Sequence, residues 1–228
     1  MTNLIQTMVM KNKDFIIVAL DISDIEHLKK IVDELGDLVG FYKVGMQLFY
    51  SQGTKALEVL KKQGKKIFLD LKLNDIPNTV KHAVSSIIDF DVDYLTLFSG
   101  AQSVETAAGI ISKKNSHLKV LNVTVLTSDQ FADVQQAVID RTTLTLDAGG
   151  NGVICSGKET ARLRQLFARD FIIVNPGVRP HGSSSDDQKR IVTPSEALRA
   201  GATNVVIGRP ILQAGNMKKA VSDILTSL

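Results

Sequence analysis

Short apolar runs recur along this chain at residues 15–21, 41–46, 66–72, 93–98, 119–126, 152–155, 171–178 and 204–208. No other feature constrains the fold as strongly. Each run is nearly continuous in apolar residues rather than alternating, so the strands they predict are buried on both faces, as in a parallel sheet. The segments between them carry helical spacing: Ile25, Leu28, Ile31, Val32 and Leu35 in the first, Ala56, Leu57, Val59 and Leu60 in the second. Others run over 77–88, 104–111, 159–167 and 194–200, with a last one from Pro210. Eight strand–helix units in 228 residues predict an α/β fold, a (β/α)8 TIM barrel near the short end of its size range. A doubly wound open sheet is the alternative.

Local signals add detail. Ser23 precedes the first helix as a candidate cap, and Thr193-Pro194 sets a cap and first-turn proline for the seventh. The stretch 130–150 is longer than one crossover helix needs and predicts an extra helix. Gly149-Gly150-Asn151-Gly152 has the look of a nucleotide fingerprint but precedes a strand, so it reads as a turn. With no linker, low-complexity tract or charge block to divide it, the chain reads as one domain over 1–228.

Composition excludes more than it assigns. A net charge of +3 is too small to imply nucleic-acid binding. No apolar stretch approaches the roughly 18 residues of a membrane helix, and 1–13 lacks the pattern of a signal peptide. The one cysteine, Cys155, sits in an apolar run and reads as a small buried hydrophobe. With no disulfide possible inside the chain, the protein reads as cytoplasmic. His27, His82 and His117 fall in or near helices without metal-ligand spacing.

The chemistry gathers at the strand ends. In a barrel the C-terminal ends of the strands carry the site, and here they carry Asp21, Lys43, Asp70 with Lys72, Ser99, Thr127 with Ser128, Ser156, Pro176-Gly177 and Gly208-Arg209. Asp70-Leu71-Lys72-Leu73-Asn74-Asp75 is the most telling of these. Side chains two apart on a strand share a face, so Asp70 and Lys72 point together into an interior. Charges buried there need partners or a task. Gly208-Arg209-Pro210, after the eighth run, suits a phosphate: glycine allows close approach, the helix start offers N–H groups and Arg209 binds the anion bidentately. The long polar segment from Pro176 through His181 to Gln188 has the composition of a loop that closes over a ligand.

Taken together, Asp70-Leu71-Lys72-Leu73-Asn74-Asp75-Ile76-Pro77-Asn78-Thr79 resembles the signature of the orotidine 5'-phosphate decarboxylase family. Ala19-Leu20-Asp21, Lys43-Val44-Gly45, Val125-Leu126-Thr127-Ser128, Pro176-Gly177-Val178-Arg179-Pro180, Asp187-Gln188 and Val206-Ile207-Gly208-Arg209-Pro210 follow in family order, so the resemblance covers nearly the whole chain. It implies that orotidine 5'-phosphate loses CO2 to give UMP, without cofactor or metal. Asp21 and Lys43 would hold the ribose, and Asp70 would lie beside the substrate carboxylate. Lys72 would donate the proton. Thr127 and Ser128 would touch the pyrimidine beside Pro176, Gln188 would bridge base and phosphate, and Arg179, Gly208 and Arg209 would surround the phosphate. A homodimer would bring Asp75, Ile76 and Thr79 to the partner's site. Two positions depart from the family pattern: Asn74, where many members carry His, and the segment 96–100, which lacks the His common after the fourth strand.

Decarboxylation leaves electron density on ring carbon 6, and a lysine ammonium beside it both stabilises and protonates that carbon. Carboxylates from Asp70 and Asp75 would keep Lys72 charged. The nearest rival, a metal-dependent sugar-phosphate lyase or aldolase of the same superfamily, would place acidic ligands at neighbouring strand ends, whereas the second strand offers Lys43. A catalytically idle phosphate-binding barrel is the other alternative; intact Asp70, Lys72 and Asp75 argue against it.

Overall fold

The computed structural model describes residues 13–126, 133–180 and 191–228. Eight parallel strands close into a barrel, each pairing with its neighbour in sequence and β1 (Ile16–Ala19) with β8 (Asn204–Ile207). Between them lie β2 (Phe41–Gly45), β3 (Lys66–Leu73), β4 (Tyr94–Leu97), β5 (Lys119–Val123), β6 (Gly152–Ile154) and β7 (Ile172–Asn175). The fold is therefore the (β/α)8 barrel that the alternation predicts, and not an open sheet.

Two-residue alternation divides each strand. Ile16, Val18, Tyr42, Val44, Ile67 and Leu69 face the helices, while Ile17, Ala19, Phe41, Phe68, Leu121, Val123, Ile154, Val174 and Val206 fill the barrel. The helical layer supplies the other half of the outer core. Helix α1 (Ile25–Leu35) buries Leu28, Ile31, Val32 and Leu35 against the barrel, each side chain worth roughly 1.5–3 kcal/mol. Its cap is Asp24, whose carboxylate accepts from the His27 N–H at 2.7 Å, one residue beyond the expected Ser23.

Helices α2 (Met46–Gln52) and α3 (Thr54–Lys62) both follow β2. Then come α4 (Pro77–Ile88), α5 (Ala101–Lys113), α6 (Val134–Asp147), α7 (Gly157–Leu166) and α8 (Pro194–Arg199), with α9 (Arg209–Leu212) and α10 (Met217–Thr226) after β8. The extra helix expected within 130–150 is not found among the described residues. One 14-residue helix, α6, takes up that length, and the doubled units are the second and the eighth. At α8 the capping box is complete, with Thr193 and Glu196 each satisfying the other's backbone N–H.

The glycine-rich stretch before β6 is a turn, with Gly149 at a left-handed φ of 80°. Cys155 is buried beside Val153, Leu163 and Ile173. Among the described residues no helix is long and apolar enough to cross a membrane.

Candidate active site

Above the apolar filling of the barrel, the next inward positions are Lys43 on β2 and Asp70 on β3. Alternation along two apolar strands thus delivers a cation and an anion to the same mouth. Lys43 Nζ lies 3.0 Å from Asp21 Oδ1 and 3.7 Å from Asp70 Oδ2, and Lys72 Nζ lies 2.8 Å from Asp70 Oδ1. The result is a chain of alternating charges across the ends of β1, β2 and β3. It is graded in exposure: the Asp70 side chain is 13% exposed and that of Asp21 57%.

Burial alone would push the Asp70 carboxyl up. The Lys43 and Lys72 ammonium groups, with hydrogen bonds from Lys72 and Thr96, outweigh it and hold Asp70 below the ordinary aspartate value.

Lys72 reaches Asp70 by a route that simple alternation does not describe. Leu69 pairs with Leu95 and Leu73 with Leu97, so residues 70–72 stand opposite Thr96 alone. This bulge puts Lys72 at φ 51°, a left-handed backbone that costs a non-glycine residue of order 1–2 kcal/mol. The two side chains share a face, as expected, but across a bulged strand. Thr96, which the sequence reading passed over, donates to Asp70 Oδ1 at 2.9 Å and accepts the Lys72 backbone N–H at 2.9 Å. Its signal was a lone hydroxyl in the middle of an apolar strand, and it is fully buried.

Gly45 ends β2 beside this charge chain. A Cβ there would stand 2.8 Å from Lys43 Nζ, so the glycine makes room for the ammonium. Its own φ of −91° is one that any residue adopts.

These groups wall a cavity of about 200 Å³. Lys43, Asp70 and Lys72 form its charged side, while Phe68, Val123 and Ile154 form an apolar side on which a planar ring could rest. Pro176, on the loop after β7, also lines it.

Other expected residues fall elsewhere. Gly208 packs beside Ala19 and Asp21, where a Cβ would meet Ala19 Cβ at 3.3 Å and Asp21 Oδ2 at 3.5 Å. Arg209 opens α9, which is only four residues long. The N–H groups of Ile211 and Leu212 both go to the Gly208 carbonyl. Arg179 is buried, its backbone N–H donating to the Val192 carbonyl at 3.0 Å.

Asp75, Ile76 and Thr79 stand exposed after β3, outside this chain's cavity. Asp75 Oδ1 accepts from the Ile76 N–H at 2.7 Å. Phe98, where the family's His is missing, lies under the Arg141 guanidinium, 5.2 Å from the ring centre. Thr127, Ser128 and Gln188 lie outside the described residues, as does His181.

The fold and this array define a barrel enzyme that can stabilise charge on a small substrate with its own lysines and carboxylates. The model of the orotidine 5'-phosphate decarboxylase / HUMPS family matches residues 14–224, and the chain belongs to that family. An orotidine 5'-phosphate decarboxylase of Rhodopseudomonas palustris strain BisB5 is 39% identical over 226 residues, covering 95% of either chain. One from Carboxydothermus hydrogenoformans is 40% identical over 230 residues, covering 93% of this chain and 95% of the relative. The crystal structure of orotidine 5'-phosphate decarboxylase from Lactobacillus acidophilus superposes with a TM-score of 0.81 at 34% identity, covering 94% of this chain and 98% of the other.

Proposed function

We propose that this protein removes CO2 from orotidine 5'-phosphate to give UMP, the closing step of pyrimidine nucleotide synthesis. The observation that carries this reading is the Lys72 ammonium, 2.8 Å from Asp70, on the charged side of a cavity whose opposite side is apolar. The bond between ring carbon 6 and the carboxylate breaks with its electron pair left on carbon 6. Lys72 Nζ stabilises that pair and then transfers a proton to it, and water reprotonates the amine. Asp70, held ionised, keeps the ammonium aimed and faces the departing carboxylate.

Asp21 and Lys43, paired at 3.0 Å, are the proposed ribose contacts. Arg179, Gly208, Arg209 and Gln188 are the proposed phosphate group, with Thr127, Ser128 and Pro176 beside the pyrimidine. Binding the phosphate and ribose supplies energy remote from the reacting carbon.

The site is completed by a second copy of the chain in this reading, with Asp75, Ile76 and Thr79 reaching the partner's cavity. Ile76 is 66% exposed, and Met46 and Tyr50 on α2, the helix that follows the neighbouring strand β2, are exposed as well. Apolar groups in such a position favour a covering surface. The single-domain reading of 1–228 is supported by β1 closing on β8, and the cytoplasmic reading by a lone buried thiol.

No cofactor enters this chemistry. The metal-dependent lyase is not supported, since the curated relatives named above are decarboxylases. Following orotidylate absorbance with and without a chelator tests the reading. Chelator-insensitive formation of UMP is expected; turnover abolished by the chelator and restored by a divalent metal would refute it.

A further inference from the structure

We propose that Thr96 is a positioning residue for this reaction, one hydroxyl fixing both the backbone of the proton donor and the carboxylate that aims it. The inference rests on the decarboxylase reading above and adds a residue to it.

The bulge in β3 leaves Thr96 alone opposite residues 70–72, so the ordinary ladder is interrupted where Lys72 turns left-handed. The Lys72 N–H goes to Thr96 Oγ1 at 2.9 Å instead. The hydroxyl has one proton, and an ionised carboxylate can only accept, so that proton points to Asp70 Oδ1 at 2.9 Å. The same carboxylate oxygen receives Lys72 Nζ at 2.8 Å. A closed ring results: Lys72 backbone, Thr96 hydroxyl, Asp70 oxygen, Lys72 ammonium. Both functions of the hydroxyl are spent inside it.

Thr96 is fully buried, so its loss is not made good by exposed solvent. Without it, the left-handed turn at Lys72 loses its anchor and Asp70 loses one of two groups fixing that oxygen. Proton transfer depends on the aim of the ammonium within fractions of an ångström, whereas ribose and phosphate contacts do not pass through Thr96.

Within one chain the charged groups facing Asp70 are Lys43 from β2 and Lys72 from its own strand, with Asp21 beyond Lys43 at the end of β1; in the proposed dimer Asp75 of the second copy joins them. β4 contributes only the neutral Thr96. Removing its hydrogen bond raises the Asp70 carboxyl, so activity should fail at a higher pH as the solution is acidified.

The test compares wild type with Thr96→Val, Thr96→Ser and Thr96→Ala by kcat, KM, pH profile and thermal midpoint, using orotidine 5'-phosphate. Thr96→Val is expected to lose roughly 10- to 100-fold in kcat with KM within about threefold of wild type, and its acid limb to move to higher pH. Thr96→Ser, which keeps the hydroxyl, should recover to within about threefold of wild type. If the valine variant does not fold, serine against alanine makes the same comparison. Full turnover in Thr96→Val, or in Thr96→Ala where valine does not fold, would overturn the proposal. So would serine and alanine variants that slow equally. An inactive wild type would instead refute the decarboxylase reading.

Discussion

At the floor of the barrel, Arg164, Asp93 and Asn151 spend their hydrogen bonds largely on the frame, whereas at the mouth Asp21, Lys43, Asp70 and Lys72 are tied to one another. Arg164 reaches from α7 to the Gly201 and Phe171 carbonyls, at 2.9 Å each, and to the Thr203 hydroxyl at 3.3 Å, with its guanidinium 4.7 Å from the Phe171 ring centre. Asp93 accepts the Ile67 N–H and Asn151 the Val120 N–H, locking the starts of β3 and β5. The mouth holds Asp21, Lys43, Asp70 and Lys72 in a chain whose members neutralise each other. Groups bound to backbone hold strands in place and have little left to offer a ligand. Groups bound to each other can shift a hydrogen bond to an arriving substrate without unpicking the sheet. The bulge and left-handed Lys72 fall at the mouth, where strain serves placement.

The contrast can be broken at four points. Lys72→Ala should lower the decarboxylation rate by roughly 10³-fold or more, while its urea midpoint stays close to wild type; near-normal turnover would remove Lys72 from the chemistry. Arg164→Ala should do the reverse. Losing its contacts to two carbonyls and a hydroxyl should cost about 2–4 kcal/mol of unfolding free energy, with kcat at 25 °C within about twofold. Equal damage to turnover and stability in both variants would erase the distinction between floor and mouth.

Gly45→Ala should lower kcat/KM by about tenfold by crowding Lys43 Nζ. The same change made in a Lys43→Ala background should then cost nothing further, and an additive loss would show that Gly45 acts through the frame. The smallest effect concerns Asp70. Its folded value is depressed, so its ionised form contributes stability above the unfolded value of about 3.9 and loses it as pH falls through the folded value. The urea-midpoint gap between wild type and Asp70→Asn should therefore shrink on acidification; a constant gap would contradict the depressed value.

Much of this was legible in the sequence because period and charge are local signals. Eight apolar runs alternating with helical spacing announce a parallel α/β sheet, which the pairing of β1 with β8 closes into a barrel, and a charge at the end of each of several core strands calls for a common site. The bulge was not legible: Asp70-Leu71-Lys72 satisfies simple alternation equally well, and only the pairing of Leu69 and Leu73 with Leu95 and Leu97 reveals the two extra residues. Thr96 was hidden for the same reason, since its partners are set by that register. Chain length in 130–150 suggested two helices where one long one forms, because length cannot tell a long helix from two short ones. Asp24 and Ser23 are adjacent and both competent caps; the geometry of the chain entering α1 chose between them. The short α9 was concealed by Pro210, which suits the start of a four-residue turn as well as that of a long helix.

The mouth carries a preformed, internally balanced charge chain in which Asp70 stays an anion. A carbon-13 NMR titration of the Asp70 carboxyl in the ligand-free protein reads this directly. A midpoint below that of an ordinary aspartate is expected with Lys43 and Lys72 in place; a midpoint at or above that value would show burial winning over the two lysines and would contradict an anionic Asp70.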